Sequence, residues 1–227
     1  MKINNLSFAY AENGKEIFKD FNWELDNNNV HFIMGANGSG KTTFYEIISG
    51  LLPYKGTILN KIHPKNILFQ LQHFPLLKEM RGKDLVELII GSDGKCSNIS
   101  LKALTQNEPP KIKDKVTYLW HSVFGKMSVG ERQWLIIYLF CKIDRELYIF
   151  DEPTAGLDLI AAKEILEMIQ HLVTDKEKKV MLTTHRIEEL NYFSDYTVTI
   201  LKNGENYFTG SKETFERSLV YSDYVAL

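Results

Sequence analysis

The sequence is poor in cysteine: Cys96 and Cys141 are its two examples among 227 residues. They stand in no metal-type spacing and are too few for a disulfide scaffold, so reduced thiols in a cytosolic protein are expected. Long apolar runs are also missing. The longest, Trp134–Cys141, is far short of the ~20 residues that cross a bilayer. A role at a membrane would therefore need another chain to supply the span. Charge of one sign is lacking too. The formal net charge is −2, so no basic field draws the chain to nucleic acid, and no nucleic-acid partner is expected. Six prolines and 14 glycines are too few for a disordered or fibrous protein. Met1–Leu6 carries no apolar signal segment, so no secretory leader is expected. There is no internal repeat.

What is present is a chain long enough for one large domain, or one domain with a small insert. Its most informative stretch is Gly35-Ala36-Asn37-Gly38-Ser39-Gly40-Lys41-Thr42-Thr43. The apolar run Val30–Met34 before it reads as a buried strand, and Thr43–Leu52 after it reads as a helix. Strand, glycine loop, Lys-Thr and helix form the context of a phosphate-binding P-loop. Glycines at 35, 38 and 40 permit backbone angles that a Cβ forbids, so successive N–H groups can line a concave anion site. The helix, starting near Lys41, points its positive dipole end at the same place. Lys41 adds a full charge for β- and γ-phosphates, and the Thr42 hydroxyl can ligate Mg²⁺. An ordinary glycine-rich turn would not need this flanking strand and helix.

The remaining pattern alternates strands and helices. Residues 2–10 and the segment from Ile17 to Leu25 alternate as strands, with a turn at 11–14 between them and another at 26–29. Residues 55–59 and 67–71 are short strands. From about Lys78 to Gly130 strand-like runs are scarce: residues 84–90, 100–106 and 113–121 have helical character. A further helix starts after Gly130 and runs to Cys141. Residues 147–150 and 180–184 are buried strands. Between them Ala161–Ile169 opens an amphipathic helix with Ile165, Leu166, Ile169 and Leu172 on one face. A short helix at 186–192, a hairpin over 198–208 around Asn203-Gly204, and a peripheral helix at 212–217 complete the reading. The alternation implies a largely parallel sheet covered by helices.

A second chemical constellation lies at the end of the 147–150 strand, where Asp151 and Glu152 follow directly. An acid there can hold Mg²⁺, and its neighbour can orient or deprotonate an attacking water. His185 closes the 180–184 strand, at the carboxyl edge where open α/β sheets bind ligands. Alone, each would pass for a solvated strand end; together with a P-loop they read as one site.

Taken in order, these motifs resemble the ATP-binding subunits of ABC transporters over essentially the whole chain. Gly35–Thr42 looks like the Walker A motif. Gln72 looks like the Q-loop glutamine, with Gln70 as a neighbouring alternative. Met127-Ser128-Val129-Gly130-Glu131-Arg132-Gln133 is similar to the LSGGQ-type signature, and Leu147–Glu152 to Walker B with its catalytic glutamate. Ala155-Gly156-Leu157-Asp158 resembles the D-loop, and His185 matches the switch histidine. Tyr10 falls where the family places an adenine-stacking aromatic, with Phe8 as the alternative.

The resemblance implies an α/β P-loop NTPase core with a mostly parallel sheet, an N-terminal antiparallel β subdomain and a small helical insert. The core would span 1–77 and 131–227, and the helical subdomain 78–130. It implies a MgATP-hydrolysing subunit that pairs head to tail with a second nucleotide-binding domain, identical or different. Residues Ser128, Gly130, Glu131 and Gln133, with Asp158 nearby, would meet the partner's ATP. Thr42, Gln72 and Asp151 would surround Mg²⁺, with Glu152 and His185 catalytic. A transmembrane permease subunit would be the other partner, at the cytoplasmic face of the membrane, with export favoured. A soluble ABC ATPase acting on ribosomes or DNA is the alternative, and a P-loop small-molecule kinase a weaker third. The segment Phe74–Met80 fits either the core or a docking patch for the permease. Two departures stand out. Val129 replaces a signature glycine, and Leu159 stands where many relatives have proline. Function is expected to persist through Ser128 and Gly130, while the closed dimer is the property exposed to a β-branched residue at 129.

Overall fold

Apolar and polar residues alternate along β1 (Lys2–Ala9) and β2 (Glu16–Glu24), which pair antiparallel. Such strands bury one face and wet the other, and here Ile3, Leu6, Phe18, Phe21 and Trp23 are buried. The chain then enters β3 (Val30–Met34), α1 (Lys41–Ser49) and β4 (Lys55–Leu59). β4 joins the other edge of β1 and closes a three-stranded antiparallel sheet ordered β2-β1-β4. In this computed structural model the described residues are 1–11, 14–26, 30–71, 78–94 and 99–221.

β3 is different in kind: all five of its residues are buried. It lies inside a six-stranded sheet with β5 (Ile67–Gln70), β6 (Leu147–Phe150), β7 (Lys179–Thr183), β8 (Thr197–Lys202) and β9 (Glu205–Ser211). The order is β5-β6-β7-β3-β8-β9, parallel throughout except for the β8–β9 hairpin. Strands buried on both faces read as continuous apolar runs, which is why 30–34 and 147–150 are so plain in the sequence. The fold is thus mixed α/β with a mostly parallel sheet and a separate antiparallel one, the class expected.

The chain divides into two compact units. The first comprises Met1–Gln72, Arg145–Pro153 and Gln170–Leu227, and contains both sheets and α1. One core cluster joins residues of both sheets to α1, including Leu6, Phe21, Trp23, Phe44, Ile47, Ile149 and Met181. Phe44 of α1 meets Trp23 and Phe21 edge-on, with ring centroids 5.0 and 5.4 Å apart. The Trp23 indole also donates to Thr199 Oγ1 at 2.9 Å, tying β2 to β8. Each large side chain so buried contributes on the order of 2–3 kcal/mol. That packing holds α1, and the loop before it, against the centre of the sheet.

In the second unit, His73–Asp144 with Thr154–Ile169, the elements among the described residues are helices, with one isolated bridge between Arg81 and Val123. They are α2 (Gly82–Gly91), α3 (Leu101–Thr105), α4 (Pro110–His121), α5 (Val129–Lys142) and the first part of α6 (Leu159–Thr174). Pro110 opens α4 at the position where a missing N–H costs nothing. Two expectations need adjusting. α5 begins at Val129 rather than after Gly130, because Ser128 caps it. Residues Ile187–Tyr192 wind as a 3-10 helix instead of an α-helix. Residues 212–216 form the short helix α7. Among the described residues no helix is long and apolar enough to cross a membrane.

The hairpin turn at Gly204 is a sensitive point of the first unit. Its φ is +78°, and a Cβ there would lie 1.7 Å from the Ile17 carbonyl oxygen. Gly204→Ala should lower unfolding free energy by about 2–4 kcal/mol, from the clash and the disfavoured backbone together. Urea titration measures it; a loss below ~1 kcal/mol would show that the turn moves freely away from β2.

Candidate functional site

Parallel strands deliver their carboxyl ends to one edge, so β3, β6 and β7 place the 35–43 loop, Asp151-Glu152 and His185 side by side in the first unit. All three loop glycines adopt positive φ: +143° at Gly35, +77° at Gly38 and +105° at Gly40. A Cβ on Gly35 would also meet the Leu201 carbonyl oxygen at 2.3 Å. Gly40 is the N-cap of α1 and brings no side chain to it, so the first-turn N–H groups are left to a ligand. Lys41 is 7% exposed, and its ammonium donates to the carbonyls of Gly35 at 2.8 Å and Ala36 at 3.2 Å. Burial lowers its pKa from the ordinary lysine value, and the charges of Glu152 and Asp151 pull it back up. The combination of dipole end, amides and cation is an anion site of the kind that takes phosphates.

Opposite the loop, Asp151 is buried and accepts two hydroxyl hydrogen bonds. Thr42 Oγ1 donates to Oδ2 at 2.7 Å, and Thr183 Oγ1 donates to Oδ1 at 2.6 Å. Thr42 spends its proton on Asp151, which leaves its lone pairs for a cation. Glu152 is in the left-handed region at φ +49°, a conformation costing about 1–2 kcal/mol for a residue with a Cβ. Its amide donates to Thr183 Oγ1 at 2.7 Å, and its Oε1 lies 2.8 Å from His185 Nε2. Below the site, burial raises the Tyr45 phenol well above its ordinary pKa, with Asp151 adding to the effect.

A cleft of about 460 Å³ collects Tyr10, Ile17, Asn37, Gly38, Gly40, Lys41, Thr42, Thr43, Glu152 and His185. Tyr10 is exposed, and its hydroxyl pairs with Thr43 Oγ1 at 2.9 Å, which holds the ring at the cleft's rim. Gly35, Ala36 and Ser39 line the opposite side of the same loop, in a recess of about 300 Å³ with Leu201 and Tyr207. Phe8 is buried edge-on against Tyr10, so the exposed ring is that of Tyr10. Gln72 lies outside the described residues, as does most of the segment 74–80. Gln70 is buried, and its side-chain amide donates to the Leu71 carbonyl at 2.6 Å.

The second unit has a cleft of its own, about 530 Å³, lined by Ser128, Val129, Gly130, Glu131, Gly156, Asp158, Lys115 and Glu164 among others. Ser128 and Glu131 form a capping box: Ser128 Oγ accepts from the Glu131 amide at 3.1 Å, and Glu131 Oε2 accepts from the Ser128 amide at 2.7 Å. Asp158 Oδ1 accepts from the amides of Ile160 and Ala161, both at 2.9 Å, at the start of α6. Glu164 is pushed up by burial, yet hydrogen bonds from Lys115 and Lys111 hold it below the usual carboxylate range. Gln133 sits a turn further along α5, outside that lining. Val129 is 56% exposed, its side chain facing out of the helix start.

The family model described as ABC transporter matches residues 18–155. The chain belongs to the ABC transporter family. It is 30% identical to the probable ATP-dependent transporter ycf16 of Trieres chinensis, over 94% of this chain and 92% of that protein. Its fold matches a structure titled as the ATP binding subunit of an ABC transporter, with a TM-score of 0.80 at 22% identity, covering 99% of this chain and 98% of that one. A dimeric ATP-binding cassette in a post-hydrolysis state, bound to ADP and Pi, matches with a TM-score of 0.72 at 20% identity, over 92% and 97% of the two chains. The chain is accordingly an ATP-binding subunit and an ATPase of this family.

Two features of this ABC ATPase were not read from its sequence. The Tyr10–Thr43 bond joins two residues assigned separately to the same nucleotide. In the sequence Thr183 is an ordinary strand residue, and the sole hint of more is its place two residues before His185. The Ser128 cap gives a direct check. With no nucleotide present, Ser128→Ala should cost about 1 kcal/mol in helix-unit stability, and Ser128→Asp should retain most of it. Thermal unfolding followed by circular dichroism separates them; equal melting of all three would mean that the capping box is not formed in solution.

Proposed function

We propose that this subunit hydrolyses MgATP in a head-to-tail dimer and thereby drives a separate transmembrane permease from the cytoplasmic side of the membrane. The observation that carries the reading is one cleft in which Lys41, Thr42, Glu152 and His185 face an uncapped helix N-terminus. The 35–43 backbone and Lys41 would hold the β- and γ-phosphates, and Tyr10 would stack on the base. Among the described residues no group of three or more His, Cys, Asp or Glu side chains is placed to hold a metal. Mg²⁺ does not need one, since it is commonly bound through one or two carboxylates, waters and substrate phosphates. Thr42 and Asp151 suit that role, with Gln72 added from the sequence. Bound Mg²⁺ would neutralise charge on the β- and γ-phosphate oxygens.

Glu152 would orient the attacking water and take its proton. The water oxygen bonds to the γ-phosphorus as the bond to the β-γ bridging oxygen breaks, leaving ADP and phosphate. His185, 2.8 Å from Glu152, would steady that carboxylate and contact the γ-phosphate. In the dimer, the cleft of the second unit would close over the partner chain's ATP. The Ser128 hydroxyl fits this role, because capping uses its lone pair and leaves its proton to donate. Gly130 would add an amide and α5 a second positive dipole end; Glu131, Gln133 and Asp158 would border the nucleotide. Whether the second copy is identical or different, the site is completed by another molecule. Export is the direction proposed, by analogy with exporters of compact single-domain form; the geometry of the site serves either direction.

Glu152→Gln should bind ATP as the wild type does, lose at least ~100-fold in turnover and accumulate as an ATP-bound dimer by size exclusion. Wild-type turnover by this variant would remove Glu152 from its role. Affinity capture from detergent-solubilised membranes should recover a polytopic protein. Recovery of ribosomes or DNA instead would replace the transport reading.

A further inference from the structure

Thr183 ends β7, is fully buried, and lies outside the lining of the nucleotide cleft. Its hydroxyl has one proton, given to Asp151 Oδ1 at 2.6 Å. Its oxygen accepts the amide of Glu152 at 2.7 Å. One side chain on β7 thus engages both acids that follow β6. The parallel register sets this up: Phe150 pairs with Leu182, so the next residue of each strand meets at the sheet's edge. The contacts answer two needs. The Asp151 carboxylate must keep a fixed direction, and Thr42 holds only one of its oxygens. Glu152 must stay at φ +49°, which its own backbone preference opposes.

We propose that Thr183 is a positioning residue for ATP hydrolysis: it locks the direction of the Asp151 carboxylate and clamps the strained backbone of Glu152 so that this side chain meets His185 and the cleft. The inference rests on the roles given above to Asp151 and Glu152. Thr183 does not line the cleft; it acts through these two acids. Valine has nearly the same shape but would remove the hydroxyl that the buried Asp151 carboxylate and the part-buried Glu152 amide both bond. Serine keeps the hydroxyl.

The test compares steady-state ATP turnover, ATP affinity and the Mg²⁺ concentration for half-maximal rate in the wild type, Thr183→Val, Thr183→Ser and Glu152→Gln. Thr183→Val should lose about 10- to 100-fold in kcat, as expected for sub-ångström misplacement of reacting groups. Its ATP affinity should stay within about threefold and its Mg²⁺ requirement should rise. Thr183→Ser should remain within about threefold of the wild type throughout, a rescue that a purely packing role would not produce. Wild-type kcat in Thr183→Val, equal damage in Thr183→Ser, or a loss confined to ATP affinity would each overturn the proposal. If Thr183→Val does not fold, Thr183→Ala replaces it against Thr183→Ser under the same criteria. Glu152→Gln keeps the two readings apart. An active Glu152→Gln refutes the site assignment itself, whereas an inactive Glu152→Gln beside an active Thr183→Val refutes only the role of Thr183.

Discussion

The parallel pairing of β6, β7 and β3 is the constraint on which everything else depends. Because the three strands run the same way in register, their carboxyl ends meet along one edge. That edge alone brings together Lys41, Asp151 and His185, which are far apart in the chain. The pairing is bought with apolar strands buried on both faces, and it is completed by α1, whose Phe44 and Ile47 lie in the same cluster as both sheets. Loss of packing there would move the glycine loop as surely as a change within it. The geometry of the cleft is in this sense a property of the core.

Electrostatics then sorts the edge into complementary halves. Lys41 is desolvated, which disfavours its charge, and the charges of Glu152 and Asp151 offset part of that effect. Asp151 and Glu152 would repel each other if both simply faced the cleft. Instead Asp151 turns into a pair of hydroxyl donors and Glu152 turns outward to His185. The left-handed backbone at Glu152 is what lets adjacent residues point to such different partners. A local strain of about 1–2 kcal/mol is tolerated because bonds from neighbouring strands over-determine it.

Legibility in the sequence followed the range of the interactions involved. The buried strands 30–34 and 147–150 and the glycine loop declare themselves locally, through continuous apolar residues and the spacing of three glycines and a lysine. The start of α5 at Val129 is marked by the capping box of Ser128 and Glu131, but Gly130, a poor helix former, masks it in the sequence. Residues 187–192 have helical composition, and only their wound geometry shows the tighter 3-10 form. The roles of Thr183 and the turn at Glu152 could not be read at all. A threonine in a strand is ordinary for its β-branched shape, and where its hydroxyl points depends on pairing between segments about thirty residues apart.

The capping box at Ser128 and Glu131 has a consequence for assembly. Because the loop end is already pinned by the helix it starts, Ser128 and Gly130 need not surrender conformational freedom when a partner arrives. Association of two nucleotide-loaded chains then spends little entropy on ordering this face, and what remains to oppose it is the loss of overall tumbling and the removal of water. Such a preformed surface favours rapid, reversible encounters, as a cycle of repeated closing and opening requires. The exposed Val129 side chain rides on this rigid frame. In the proposed dimer a side chain so placed would bear on how closely the two faces meet and not on how they are folded.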